Sequence, residues 1–417
     1  MLTPFFETEP STSASAPTTI SPTSPSTSLS SLLPSSTSSS STSSTSKTTS
    51  TSTSTSTTTS TSTTTSTTTS TTTTACNSFL NQTTYSVGKY SYSVTVVDVN
   101  RDNKPDIVVA NWGWNNVGVL LNAGNGTFKA QTTYPVGNNP YSVVVVDVNS
   151  DNIPDIVAAN EGSSTVSVLL NAGSGTFSAQ TNYIVGTSPT SVAVVDVNSD
   201  NIPDIIVANY ADNTVSVLLN TGSGTFNAQI IYTVGTKPDA VAVVDVDSDN
   251  IPDIIVANSD SSTVGVLLNA GNGTFKTQTT YPVGNNPYAV AVVDVNSDNK
   301  PDIVVANSGS NNIGVLLNAG SGIFNAQTNY TVGTNPLSVA VVDVNNDNKL
   351  DIVVANSGSN NIGVLLNAGS GTFNAQTIYS VGVQPISVAV VDVDSDNKPD
   401  IIVANGNSFT VSVLLHC

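Results

Sequence analysis

Residues 294–324 read DVNSDNKPDIVVANSGSNNIGVLLNAGSGIF. An acidic, Asn-rich loop is followed by DIVVAN, a Ser/Gly/Asn turn, IGVLL, and a second turn of small residues ending in Phe324. Short β-branched runs punctuated by Gly, Asn and Asp read as strands joined by tight turns. No segment has a sustained helical period. The stretch recurs: its opening aspartate, Asp294, has counterparts at Asp98, Asp147, Asp196, Asp245, Asp343 and Asp392, always 49 residues apart. Phe79, Phe128, Phe177, Phe226, Phe275, Phe324 and Phe373 keep the same step, as do Tyr85, Tyr134, Tyr183, Tyr232, Tyr281, Tyr330 and Tyr379.

One repeat holds four strand-like runs. In the third these are Ser191–Val197, Ile205–Ala208, Val215–Leu219 and Phe226–Val234. The first is almost wholly apolar, which suits burial on both faces, and the fourth mixes polar and apolar residues, which suits an outer edge. Four strands in a unit of this length, repeated seven times, predict an all-β fold: a seven-bladed β-propeller of four-stranded antiparallel blades. The seventh unit stops after its third run, while Ser78–Val87 resembles a lone fourth strand. The N-terminal strand is therefore expected to complete the last blade. Aligning Phe79 with Phe177 places Cys76 and Cys417, the only two cysteines, at the ends of the missing turn, so a Cys76–Cys417 disulfide is expected to replace it.

Outside the propeller, residues 11–75 are almost entirely Ser and Thr, with Lys47 the one charged residue. Such a segment has too little apolar surface to offset its ordering entropy. The domain division is thus 1–75, a disordered mucin-like stalk, and 76–417, the propeller. No apolar run is long enough to span a bilayer. The N-terminal residues carry neither a basic nor an apolar signal region, so either the protein is intracellular or its start lies upstream. The stalk, the cysteine placement and the sequons at Asn81, Asn125, Asn272 and Asn329 favour an extracellular or cell-surface location.

The formal charge is −19, and 23 of the 29 acidic residues fall inside the repeated loop. Charge crowded so tightly calls for a cation, and the acidic balance excludes a nucleic-acid partner. Counting the seven opening aspartates, Asp98, Asp147, Asp196, Asp245, Asp294, Asp343 and Asp392, as position 1, position 3 is Asn100, Asn149, Asn198, Asp247, Asn296, Asn345 and Asp394. Position 5 is Asp102, Asp151, Asp200, Asp249, Asp298, Asp347 and Asp396. Position 9 is Asp106, Asp155, Asp204, Asp253, Asp302, Asp351 and Asp400. Position 7, expected to offer its backbone carbonyl, is Lys104, Ile153, Ile202, Ile251, Lys300, Lys349 and Lys398. The spacing matches the first nine positions of an EF-hand loop, and hard oxygen ligands favour Ca²⁺ over zinc or copper. The EF-hand glycine at position 6 is replaced by Asn, the non-glycine residue that best tolerates a left-handed backbone, and the twelfth-position glutamate is missing, with Val109 in its place. The fourth and seventh loops, with an additional acid each, are expected to bind most tightly.

With these loops and turns, the run 294–324 resembles the FG-GAP/VCBS repeat, which the propellers of integrin α-subunits also resemble. The resemblance covers Cys76 to Cys417. It implies a seven-bladed ring, monomeric as a closed unit, with calcium between the first and second strands of each blade. Nothing else in the chain resembles an integrin.

In an up-and-down blade the calcium loops and the Asn-Ala-Gly turns share one face, and loops 2–3 and 4–1 share the other. The calcium face barely varies between repeats. The other face carries Trp112, Trp114, Glu161, Tyr210 and Asp212, together with Lys89, Tyr90, Tyr92, Tyr141, Lys237, Asp239, Tyr288, Asp260 and Phe409. Variation confined to one face of a uniform scaffold is how loops acquire function. Trp112, Trp114, Glu161, Tyr210 and Asp212 are therefore the candidate ligand-binding residues, for an extracellular protein or, alternatively, a glycan. The single histidine, His416, stands at a turn position, and no nucleophile–base motif is present, so an adhesion or recognition role is expected rather than an enzyme.

Overall fold

The computed structural model describes residues 78–417, and these form seven four-stranded antiparallel sheets arranged as blades of a propeller. Blade 1 runs Ser91–Val97, Asp106–Asn111, Asn116–Leu120 and Thr132–Pro135; blade 3 runs Pro189–Val195, Asp204–Asn209, Thr214–Leu218 and Ile230–Thr233. In blade 7, Pro385–Val391, Asp400–Asn405 and Thr410–Leu414 are joined by the N-terminal strand Thr83–Ser86, with Tyr85 opposite Val411. The expected strand clasp is present. The stalk and Cys76 lie outside the described residues. Cys417 is tied to the clasp by its own N–H, which donates to the carbonyl of Ser78 at 3.0 Å.

The second strand explains why this sequence forms a ring. Ile107, Val108, Val109 and Ala110 are all 0% exposed. Ile107 and Val109 pack toward blade 7, beside Ile402 and Ala404, whereas Val108 and Ala110 pack toward blade 2, beside Ile156 and Ala158. Each blade thus has two apolar faces and needs a neighbour on each, and seven seams each hold one such cluster. Burying each Val or Ile contributes about 1.5–3 kcal/mol, which drives closure. The Tyr and Phe series meet across these seams: the Tyr134 ring stands edge-on to Phe177 of the next blade at 5.2 Å, and its hydroxyl donates to Gly175 O at 3.1 Å. Phe79 supplies the same partner to Tyr379, at 5.2 Å.

The fourth strand is shorter than the sequence pattern suggests. In blade 3 only Ile230–Thr233 pairs as the outer strand, while Phe226 bridges to Asn220 inside the preceding turn. In blades 1, 4, 5 and 6 this turn is a small ribbon, such as Asn122–Gly124 with Thr127–Phe128.

Candidate metal centres and the variable face

Each acidic loop links the first strand of a blade to the second, and it is wrapped around its own position-1 carboxylate. Asp98 Oδ1 accepts from the N–H groups of Asn100, Arg101 and Asp102 at 3.1, 2.6 and 3.2 Å, and Oδ2 accepts from Asn103 N at 2.7 Å. Asp294, in the fifth loop, is wrapped in the same way: its Oδ1 accepts from Asn296 N and Asp298 N, both at 3.2 Å, and its Oδ2 from Asn299 N at 2.7 Å. This wrapping needs left-handed backbone twice. Position 6 is always Asn, at φ 60° in Asn103 and 67° in Asn250; position 4 is left-handed as well, at φ 63° in Arg101 and 69° in Ser395. The position-4 requirement was missed in the sequence because that position varies among Arg, Ser and Asn.

Position 9 is the deepest group. Asp106 is 0% exposed; its Oδ2 accepts from Val99 N at 3.0 Å and its Oδ1 from Asn122 N at 2.7 Å. Burial outweighs these two hydrogen bonds and pushes its carboxyl from 3.8 up to about 6, with Asp102 and Asp98 adding to the rise. The same holds for Asp155, Asp204, Asp253, Asp302, Asp351 and Asp400. In the fifth loop the acids that add to the rise at Asp302 are Asp298 and Asp294.

Positions 1, 3 and 9 come together where all three are acids. In the fourth loop carboxylate oxygens of Asp245, Asp247 and Asp253 lie within 4.8 Å of one another, and in the seventh those of Asp392, Asp394 and Asp400 do the same. The other five loops, that of Asp294 included, have Asn at position 3, so an amide oxygen stands where these two have a third carboxylate. Burial and the adjacent acids raise both Asp247 and Asp394. Position 5 is not gathered with them. Asp298, Asp347 and Asp396 instead meet the position-7 lysines Lys300, Lys349 and Lys398 at 3.4, 3.2 and 3.6 Å, and Asp102 stands 3.9 Å from Lys104. These pairs are solvent-exposed and worth little, so they would yield to an ion that recruited position 5. A buried carboxyl whose charge is made costly by burial, beside two further acid or amide oxygens, fits a hard divalent cation, which takes six to eight oxygens when it is Ca²⁺.

Two further Asn series, also on the 49-residue step, were not singled out in the sequence. Asn122, in the turn between strands 3 and 4, donates its Nδ2 to Val393 O at 2.9 Å and to Pro105 O at 3.0 Å. Val393 is position 2 of the preceding blade's loop. Asn171 does likewise to Val99 O and Pro154 O, both at 2.9 Å. As the backbone N–H of each such Asn also binds its own position-9 carboxylate, neighbouring acidic loops share one hydrogen-bonded link. In blade 7 the position is filled by His416, 5% exposed, which keeps the link to Asp400 Oδ1 at 2.7 Å and stacks on Phe79 at 4.9 Å. The other series lies under the glycine of loop 4–1, where a Cβ at Gly88 would stand 2.4 Å from Asn111 Cγ; in blade 1 Gly88 N donates to Asn111 Oδ1 at 2.9 Å, while in blade 2 Asn160 Nδ2 donates to Ser167 Oγ of the third strand at 2.8 Å.

On the opposite face the five candidate ligand residues do not form one site. Trp112 and Glu161 are together, with indole Nε1 donating to Oε2 at 2.8 Å. Tyr90 and Tyr92 pack edge-on against Trp112 at 6.0 and 5.7 Å, and Phe409 adds to Tyr90 at 5.5 Å. Trp114 stands 53% exposed beside this cluster's turn. Tyr210 belongs to a separate group in blades 3 and 4, its ring 5.6 Å from Lys237 Nζ, which is paired to Asp260 at 2.8 Å. Asp212 holds its own turn together, since its Oδ2 accepts from Thr187 N at 2.6 Å, as Ser163, Ser261, Ser310 and Ser359 accept in other blades. Tyr92, Tyr141, Asp239 and Tyr288 are not loop residues either. They sit in first strands and are buried.

A family model described as an FG-GAP-like repeat matches residues 98–158, 147–207, 196–256, 245–305, 294–354 and 343–403. No curated protein matches the sequence. Among solved structures, BBS1N in complex with ARL6DN aligns at TM-score 0.59 and 13% identity, over 81% of this chain and 97% of that one. Virginiamycin B lyase from Staphylococcus aureus aligns at TM-score 0.59 and 14% identity, over 82% and 100%. Hydrazine synthase from Kuenenia stuttgartiensis aligns at 0.58 and 14%, over 80% and 97%. At these identities the likeness is one of fold.

Proposed function

The chain belongs to the FG-GAP-like repeat family, and on that premise we propose that it is an extracellular, calcium-binding recognition module rather than an enzyme. Calcium would be held by positions 1, 3, 5 and 9 of each loop with the position-7 carbonyl, and its role is to neutralise the crowded carboxylates and lock the loops. The chain's own part is to pre-wrap position 1 and to present position 9 from the start of a rigid strand. The stalk composition, the sequons and the proposed Cys76–Cys417 bridge support an extracellular setting, the bridge being favoured by the hydrogen bond from Cys417 N to Ser78 O.

The observation that carries recognition is the aromatic cluster of Tyr90, Trp112, Trp114 and Phe409, confined to the face away from the acidic loops. Trp112 is held by Glu161 and two tyrosine edges, so it is a preorganised anchor, and Trp114 is free to be covered. Rigid aromatics of this kind are typical centres of protein-binding sites. The exposed Trp114 indole also favours a second reading, stacking on a sugar ring. His416 lies on the acidic-loop side, beside Asp400, away from this cluster. A glycan array and a panel of purified surface proteins, each probed with the calcium-loaded chain and with Trp114→Ala, test the proposal. A ligand captured by both forms alike, and lost on substituting Lys129 near the acidic loops, would place recognition on the wrong face.

A further inference from the structure

Every first strand begins with a β-bulge, and the bulged residue turns inward around the channel. The register shifts between Ser91 and Ser93 in blade 1, between Pro140 and Ser142 in blade 2, between Pro238 and Ala240 in blade 4 and between Pro287 and Ala289 in blade 5. The residues so displaced are Tyr92, Tyr141, Asp239 and Tyr288, with Thr190 in blade 3 and aliphatic side chains in blades 6 and 7. They come from different blades, and the three tyrosines touch. The hydroxyls of Tyr141 and Tyr288, three blades apart, meet at 3.0 Å, so these side chains span the channel, and the Tyr92 and Tyr141 rings stack at 5.0 Å. Tyr92, Tyr141, Thr190, Asp239 and Tyr288 are 1–5% exposed, and Ile386 packs with Tyr92 and Tyr141, so this end of the channel is closed by a plug that is part aromatic and aliphatic, part polar.

Asp239 is out of balance in that plug. Its Oδ1 is buried and has no hydrogen-bond partner among the described residues. The nearest lysine, Lys237, is committed to Asp260 at 2.8 Å, and the nearby acid Glu161 is committed to Trp112. Desolvation, weakly opposed by Ser259, pushes the Asp239 carboxyl up to about 8. Tyr141, Asp239 and Tyr288 leave the same bulge position of blades 2, 4 and 5, and burial raises both tyrosine hydroxyls well above their usual range, with the Asp239 charge adding at each. No other blade has an acid at this position. A buried carboxylate persists only when it is neutralised or paired.

We propose that the channel plug is a binding site for a small monovalent cation, an alkali metal ion or ammonium, held by Asp239 with the Tyr141 and Tyr288 hydroxyl oxygens. One carboxylate matches one positive charge, whereas a divalent ion would leave net charge buried among neutral oxygens. The ion displaces the carboxyl proton, so binding at neutral pH releases a proton to solvent. Lys237 and Asp260 neutralise each other above the plug, and Tyr141, Tyr210 and Tyr288, all raised by burial, stay protonated there, so Asp239 is the group that titrates.

The full chain is melted at pH 7 in saturating calcium, in tetramethylammonium chloride replaced stepwise by NaCl, KCl or NH₄Cl at constant ionic strength. The melting temperature of the wild type rises saturably in at least one of these salts, and the same salt releases protons in weakly buffered solution. Asp239→Asn, which mimics the neutral carboxyl, folds and loses both responses, and Tyr288→Phe weakens the apparent ion affinity at least tenfold. Asp260→Asn, at the exposed pair, keeps them. Identical melting in all four salts, absence of proton release, or an unchanged response in Asp239→Asn or Tyr288→Phe overturns the site and leaves a buried water in its place. The readouts use ions alone, so they stand or fall separately from recognition on the face above.

Discussion

Removing calcium from the ring should expose what the buried position-9 aspartates cost, and the cost should depend on pH in a defined direction. Each of the seven has its carboxyl raised from 3.8 to about 6 by burial. A folded-state value above the unfolded one means that the folded state binds more protons in that interval. In the metal-free protein the resulting stability is therefore fully present below about pH 4 and is lost as pH rises through about 6. At about 1.4 kcal/mol per pH unit, keeping one such group ionised at pH 7.5 costs about 3 kcal/mol, an upper figure before relaxation and water entry. Calcium bound as proposed would act in the opposite direction, since it would bind only the ionised loop. At a hundredfold excess over its dissociation constant, each site gains about 2.7 kcal/mol. Even two or three effective sites, at about 2 °C per kcal/mol, shift the melting temperature by more than 10 °C. Scanning calorimetry between pH 4.5 and 7.5, with calcium and with EDTA, gives the difference directly. The calcium increment should be near zero at pH 4.5 and should grow through pH 6. An increment that is absent at pH 7.5, or that is the same at both ends of the range, refutes the assignment of these carboxylates as ligands.

Asn171→Ala removes two donors to buried carbonyls of two adjacent loops, Val99 O and Pro154 O, and should destabilise the ring by about 2 kcal/mol in chemical denaturation. It should also weaken calcium binding in blades 1 and 2 together, measured by calorimetric titration, while an exposed change such as Lys129→Ala leaves both unaltered. The Cys76–Cys417 bridge would close a ring of about 340 residues and add at most about 5–6 kcal/mol, and mass spectrometry of a non-reduced digest should recover the two cysteine peptides as one. Trp114→Ala should leave the melting temperature within about 1 °C, because its indole is half exposed, whereas Trp112→Ala should lower it, because that ring packs against Tyr90 and Tyr92.

The fold was legible because the repeat does not drift. A 49-residue step kept through seven copies fixes the blade count, and the incomplete last repeat together with a lone strand-like start fixes the closure, which pairs Tyr85 with Val411. The acidic loops were legible for the same reason, but in six of the seven the position-5 aspartate turns to a lysine or asparagine neighbour, a side-chain choice that spacing alone does not encode. The variable face was read least well. Its residues were recognised as individual, but individuality does not say which way a side chain points. Asp212 replaces a serine that staples the same turn in other blades, so a charged residue there is structurally ordinary.

The bulge at the start of each first strand accounts for the rest of that misreading. An additional residue in a strand reverses the alternation beyond it, so Tyr141 and Asp239, which follow a Gly-X-X-Pro turn and look like loop residues, are turned into the channel instead. The next residue resumes the ladder: Ser142 accepts from Val192 N at 3.3 Å in the neighbouring blade, as Ser93 accepts from Val143 N at 3.2 Å. In blades 4 and 5 that serine is Ala240 and Ala289, so the blade that carries the unbalanced aspartate, like the one after it, lacks the seam hydrogen bond that Ser191 of blade 3 makes to Val241 N. Two departures from the repeat thus fall side by side in one strand. The scaffold tolerates them because the apolar second strands, buried on both faces in every blade, hold the ring together without help from the channel. That division leaves the channel end and the face around it free to differ from blade to blade, while the acidic loops at the other end stay uniform.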